Sequence, residues 1–111
     1  MPKKIHVEGM GRPAGCKLIR VSADIEDGVI RVISIRGDFF ASPEEGFERA
    51  EKRLSGIPAA DSGGAFDSFL KEEGVEAAGI NGGGLAEVLA EAVSAAGRDP
   101  HGPGLSSGGP R

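Results

Sequence analysis

The chain has 111 residues, with 13 basic and 17 acidic side chains for a net charge of −4, 19 glycines, five phenylalanines and no tryptophan or tyrosine. A chain of this length forms one domain burying roughly 65% of its unfolded surface, so its core is a modest one of Val, Ile, Leu and Ala with little room for a deep substrate cavity. Scattered Lys and Arg set nucleic acid aside as a partner, no apolar run suits a signal peptide or a membrane span, and the cytoplasm is the expected compartment; His6, His101 and the lone Cys16 lack the spacing of a zinc site, so neither metal nor internal disulfide is expected.

In chain order, Ile5 to Glu8 alternates apolar and polar residues, and Cys16 to Ile25 does so with Ile19, Val21, Ala23 and Ile25 on one face. Val29 to Arg36 is rich in Val and Ile. Asp27-Gly28 just before it is a pair that tolerates positive φ in a tight hairpin turn, so the second and third strands are predicted to be antiparallel neighbours.

Ser42-Pro43-Glu44-Glu45 then carries a helix-start pattern: a capping Ser, a proline at the first helical position and a Glu three residues after the cap. The spacing predicts a helix over 43–55, with Ser42 contributing about 1 kcal/mol as its cap. Phe47, Ala50 and Leu54 form its apolar face, and Gly56 with Pro58 stops it. Asp61 to Gly64 reads as a loop or helix entry, and Phe66, Phe69 and Leu70 suit a short second helix ending at Gly74. Asn81 to Gly84 leads into a third helix over 85–96. The Pro-, Gly- and Ser-rich stretch 98–111 buries too little apolar surface to offset its ordering entropy and is expected to be a disordered tail, leaving 1–97 as the domain. Three strands followed by three helices make an α+β fold with helices covering a small antiparallel sheet.

Most of the chemistry-bearing residues have plain structural readings. Gly82-Gly83-Gly84 lacks the lysine of a phosphate-binding loop and reads as a flexible helix entry. Glu44, Glu45, Glu48 and Glu51 read as macrodipole complements and a solvated helix face. Cys16 has no nearby histidine or second cysteine to activate it, and His6 and His101 read as exposed. Two features stand out. Lys17 has the parity of Ile19 and Val21, which projects it from the buried side near the start of its strand. In Gly37-Asp38-Phe39-Phe40, two adjacent phenylalanines cannot both point inward from a regular strand, so one is a candidate surface contact unless both pack under the helix.

The stretch GRPAGCKLIRVSADIEDGVIRVISIRGDFFASPEEGFERAEKRLSGI resembles the C-terminal accessory domain of lipoate-protein ligases: Lys-Leu-Ile after a Gly/Pro-rich approach, the Asp-Gly hairpin, Gly-Asp-Phe-Phe, and Pro-Glu-Glu opening a helix. The similarity continues more weakly through GINGGGLAEVLAEAV and so spans roughly residues 5–96, with Cys16 where the family pattern has Gly. In some archaea and bacteria this domain is a separate chain, so the resemblance implies an accessory subunit that is inactive alone. Its partner would be a catalytic lipoate-protein ligase subunit, which holds ATP, Mg and lipoate, forms lipoyl-AMP and transfers the lipoyl group to a lysine of a lipoyl domain. No cofactor is expected on this chain itself. The resemblance further implies a fold similar to iron–sulfur scaffold proteins, Lys17 as an electrostatic contributor to adenylation, and Gly37, Asp38, Phe39 and Phe40 as an interface loop. The alternatives are a sulfur-relay or iron–sulfur assembly module using Cys16, and a tether that joins ligase and lipoyl domain without touching the chemistry.

Overall fold

The computed structural model describes residues 3–98. Strand β1 (Lys4–Gly11), β2 (Ile19–Glu26) and β3 (Val29–Gly37) form an antiparallel sheet in sequence order. The β2–β3 turn is the two-residue one expected: Asp27 and Gly28 both adopt positive φ, 52° and 80°, which matches the right-handed twist of the strands they join. A bulge follows, because Asp24 pairs with Val32 but Ile25 pairs with Ile30, leaving Arg31 as the extra residue. The bulge resets the alternation, so Ile30, Ile33 and Ile35 all face the core while Val32 is 60% exposed.

The inner face of the sheet carries Val7, Ile19, Val21, Ala23, Ile25, Ile30, Ile33 and Ile35, all buried. Three helices cover it: α1 (Glu44–Arg53), α2 (Ser62–Glu72), preceded by a 3₁₀ turn at Ala59–Asp61, and α3 (Gly82–Arg98). Phe47, Leu54, Phe66, Leu70, Leu85 and Leu89 supply the helical half of the core. The Phe47 ring meets Phe66 edge to face at 5.9 Å, which ties α1 to α2. Arg53 lies over the Phe69 ring at 4.2 Å and pairs with Glu72, while Arg49 pairs with Glu73 at 2.7 Å. Gly63 and Gly82 let α2 and α3 approach closely, since a side-chain carbon on Gly63 would stand 2.7 Å from the Gly82 carbonyl oxygen.

The α+β arrangement is the expected one, with four differences. Two further strands, β4 (Phe40–Ser42) and β5 (Glu76–Ala78), form a separate antiparallel ribbon in which Phe40 pairs with Ala78 and Ser42 with Glu76. This ribbon overturns the predicted cap. Ser42 is held extended by β5, Pro43 takes the cap position with φ −76° and ψ 151°, and no side chain caps α1. The first helical bond runs from Phe47 N–H to the Pro43 carbonyl oxygen at 3.1 Å. Third, Gly82 to Gly84 are the first turn of α3 and not its approach: Asp67 accepts from Gly82 N–H and Asn81 from Gly84 N–H, each at 2.7 Å. Fourth, Glu51 does not belong to a solvated face. Its side chain is only 13% exposed and accepts the Ile35 N–H at 2.7 Å, closing an edge amide of β3. Except for Arg98, the last residue of α3, the tail expected at 98–111 lies outside the described residues, as does His101.

Candidate functional corner

The chain between β1 and β2 turns at Gly15, where Cys16 N–H donates to the Pro13 carbonyl oxygen at 2.9 Å. Strand β2 starts only at Ile19, so Lys17 is not on the buried side of a strand. It is exposed, which corrects the parity argument. Lys17 N–H donates instead to the Gly79 carbonyl oxygen at 2.8 Å, and Leu18 gives its carbonyl to Asp38 N–H at 3.0 Å. Lys17 and the Gly37–Phe40 loop, which the sequence flags separately, are thereby brought to one corner of the molecule, with Gly79 after β5 as the link between them.

Glycine is required at both ends of that link. Gly37 has φ 153° and its backbone passes so close to Leu18 that a side-chain carbon would stand 3.0 Å from the Leu18 carbonyl carbon. Gly79 has φ 88°, and a side-chain carbon there would lie 2.6 Å from Lys17 Cγ and 3.4 Å from Phe39 Cα. The Lys17 stem therefore lies across Gly79 while its ammonium reaches solvent, and it makes no ion pair among the described residues.

The two phenylalanines divide as the loop suggests. Phe39 is half-buried and packs on Phe47 with ring centroids 5.4 Å apart, so it anchors the loop to α1. Phe40 is 65% exposed. Asp38 is exposed beside them, its N–H already used by Leu18. Between Phe39, Phe47, Arg36 and Glu44 lies a shallow hollow of about 300 Å³, open to solvent.

The open face of the sheet continues the corner. Met10, Arg20 and Arg36 form one cross-strand row on it, and Met10 is 65% exposed. Ser22 and Ser34, one row further, floor a groove of about 670 Å³. Arg12, Lys17, Arg20 and Arg36 are all exposed at this end of the sheet together with Asp38, and Arg36 lies 3.5 Å from Glu51, so charges of both signs crowd here. The opposite end is different. There His6 sits between Asp24 at 2.7 Å and Glu8 at 3.0 Å, and these two carboxylates raise its pKa above 6.5, Glu8 contributing more.

Cys16 is half-buried, its Sγ against the backbone at Gly84, where a side-chain carbon would stand 2.8 Å away. No group of three or more His, Cys, Asp or Glu able to hold a metal occurs among the described residues. No described helix is long and apolar enough to cross a membrane. The corner is therefore a charged, aromatic-tipped surface without an enclosed cavity or an assembled nucleophile–base pair.

No protein-family model matches the chain, and no curated protein sequence matches it. Among solved structures it is similar to a chain from the structural analysis of an archaeal lipoylation system, a bi-partite lipoate protein ligase and its E2 lipoyl domain from Thermoplasma acidophilum. The identity is 27% and the TM-score 0.60, over 80% of this chain and 97% of that one. Because four-fifths of this chain accounts for nearly all of that one, the matched chain is itself a short one. The fold of this chain is thus a lipoylation-related fold.

Proposed function

We propose that this chain is the accessory subunit of a two-chain lipoate-protein ligase. The observation that carries the reading is the structural match to a short chain of a bi-partite lipoate protein ligase system over 97% of that chain's length. The Lys17 corner supports it from a different direction, since it brings an exposed ammonium and an exposed phenyl ring together at one surface beside a shallow, open hollow.

On this reading the catalytic subunit holds ATP, Mg and lipoate, and the two chains meet in the cytoplasm as a heterodimer that serves lipoyl domains. The corner docks at the mouth of the catalytic subunit's cleft. Phe40 supplies the apolar contact, and Phe39, locked on Phe47, fixes the loop that presents it. Lys17 brings an ammonium to the phosphoryl charge that develops as lipoate attacks ATP, and docking excludes water from the acyl-adenylate formed. Its backbone is pinned by Gly79, which fixes the point on the corner from which the flexible side chain reaches out.

The test is Lys17→Ala in the reconstituted pair, with complex formation and lipoyl-AMP formation measured separately. The expected result is an intact complex with adenylation at least about tenfold slower, the loss of one charge contact worth ~1.4 kcal/mol in the transition state. Wild-type adenylation by an intact complex removes the role of Lys17. The mass of this chain is recorded in the same reaction: a gain of a lipoyl group would make it the acceptor and overturn the accessory reading.

A further inference from the structure

The far edge of β3 is closed within the chain. Ile35 N–H donates to Glu51, Ser55 Oγ–H donates to the Arg31 carbonyl oxygen, and Ile30 bonds in both directions with the 56–57 backbone. The edge of β1 has no such cover among the described residues. Asp27 N–H donates to the Lys3 carbonyl oxygen, so in β1 the odd-numbered residues turn their backbone groups toward β2, and Lys4, His6, Glu8 and Met10 turn theirs outward. Each carries one N–H and one C=O on an unpartnered edge eight residues long, a template for another strand.

We propose that this edge pairs with β1 of a second copy of the chain, antiparallel about a two-fold axis through Val7. In that register the four outward-turned residues all find partners: His6 faces Glu8 of the second copy, Lys4 faces Met10, and each contact is repeated by the symmetry. On the open face each His6 imidazole thus meets a Glu8 carboxylate, while on the core side Val7 meets Val7 and the larger Ile5 lies opposite Gly9. The order His6 then Glu8 along the strand is what makes the edge complementary to its own reverse, with Lys4 set against the uncharged Met10. The helices fit the same geometry. α3 packs against β1 more than β2, so its symmetry mate would run close beside it across the new seam and only small side chains suit the contact. The flank of α3 beside the β1 edge carries Ala92, Ala95 and Ala96, side chains small enough for that approach. The pairing leaves Lys17, Gly79 and the Gly37–Phe40 loop uncovered and meets the groove beside them only at its Glu8–Met10 rim, so the inference stands whether or not the ligase reading does.

Sedimentation velocity on the full chain, from micromolar to submillimolar concentration, tests it, with backbone amide exchange of Lys4, His6, Glu8 and Met10 followed over the same range. Reversible monomer–dimer exchange is expected, with these amides gaining protection as concentration rises. Glu8→Arg sets Arg against His6 of the second copy, and His6→Glu sets Glu against its Glu8; His6→Glu also gives up the contacts to Asp24 and Glu8 within the chain, but exposed pairs of this kind contribute little, so both monomers stay folded, as their melts will check, and each variant alone weakens dimerisation about tenfold or more. Mixed together the two variants are complementary, and a mixed dimer of near wild-type affinity is expected. A chain monomeric throughout the range overturns the proposal, as does a dimer indifferent to both variants. Edge amides equally protected at every concentration in a monomer would also overturn it, by showing the edge closed within one chain.

Discussion

Replacing Gly79 with alanine puts a methyl group into the link that joins Lys17 to the Phe39 loop. Two effects add. Alanine at φ 88° bears the left-handed strain of a residue with a Cβ, about 1 kcal/mol. The methyl carbon would also stand 2.6 Å from Lys17 Cγ and 3.2 Å from Lys17 Cβ, so the lysine stem must leave its seat. That stem is flexible and exposed, which makes its displacement inexpensive in stability, and the total is about 1–2 kcal/mol. A domain of this size should then melt about 5–15 °C lower and remain folded at room temperature. Gly56→Ala isolates the first effect, because Gly56 has φ 92° and no atom within 4 Å of the added carbon. Thermal melts followed by circular dichroism, with lipoyl-AMP formation alongside a catalytic ligase chain, compare the two. The expected outcome is a similar fall in Tm for both variants and a fall in adenylation for Gly79→Ala alone. If both variants support adenylation at the wild-type rate, the placement of Lys17 by Gly79 has no functional weight and the corner has been misassigned.

The two phenylalanines should separate stability from binding. Phe39→Ala loses the Phe47 contact and is expected to cost about 2 kcal/mol in a denaturant titration, whereas Phe40→Ala changes stability by no more than about 0.5 kcal/mol yet weakens binding to the ligase chain severalfold. Equal effects of both on both measurements would contradict the division. Glu73 should give the α1–α2 contact an acid-side pH dependence. Its pKa is held below the ordinary 4.5 first by Arg49 and then by Arg53, so its stabilisation is complete above pH 4.5 and fades as pH falls through the lowered value. The stability gap between wild type and Glu73→Gln should therefore shrink below pH 4.5; a gap constant across that range would show that the ion pairs add nothing.

The parts of the fold that follow from local pattern were legible in the sequence. Asp27-Gly28 can take positive φ without compensation from elsewhere, and the three-and-four spacing of Leu85, Val88, Leu89 and Ala92 places one face of α3 on the sheet without reference to any other element. What escaped depends on distant partners. β4 and β5 are three residues each, too short for alternation to register, and they exist because Phe40 and Ala78 come together after two helices have been laid down between them. That pairing also defeated the Ser42 cap: a local pattern worth about 1 kcal/mol yielded to strand pairing with β5. Lys17 was singled out for the wrong reason. Parity placed it on the inward face of a strand that begins two residues later, and the carbonyl of Leu18 is taken by Asp38 across the corner. Gly79 and Glu51 carried no local signal, since each matters only through a partner remote in sequence, Lys17 for one and Ile35 for the other.

Lipoyl-AMP formation from ATP and lipoate by the purified catalytic ligase chain, with and without this protein, decides whether the chain is an accessory subunit. Adenylate is expected only when both chains are present, in an amount that saturates at one accessory chain per catalytic chain. Equal activity of the catalytic chain alone would contradict it and leave the corner as a tether for the ligase's substrate, or Cys16 as the residue to examine for sulfur transfer.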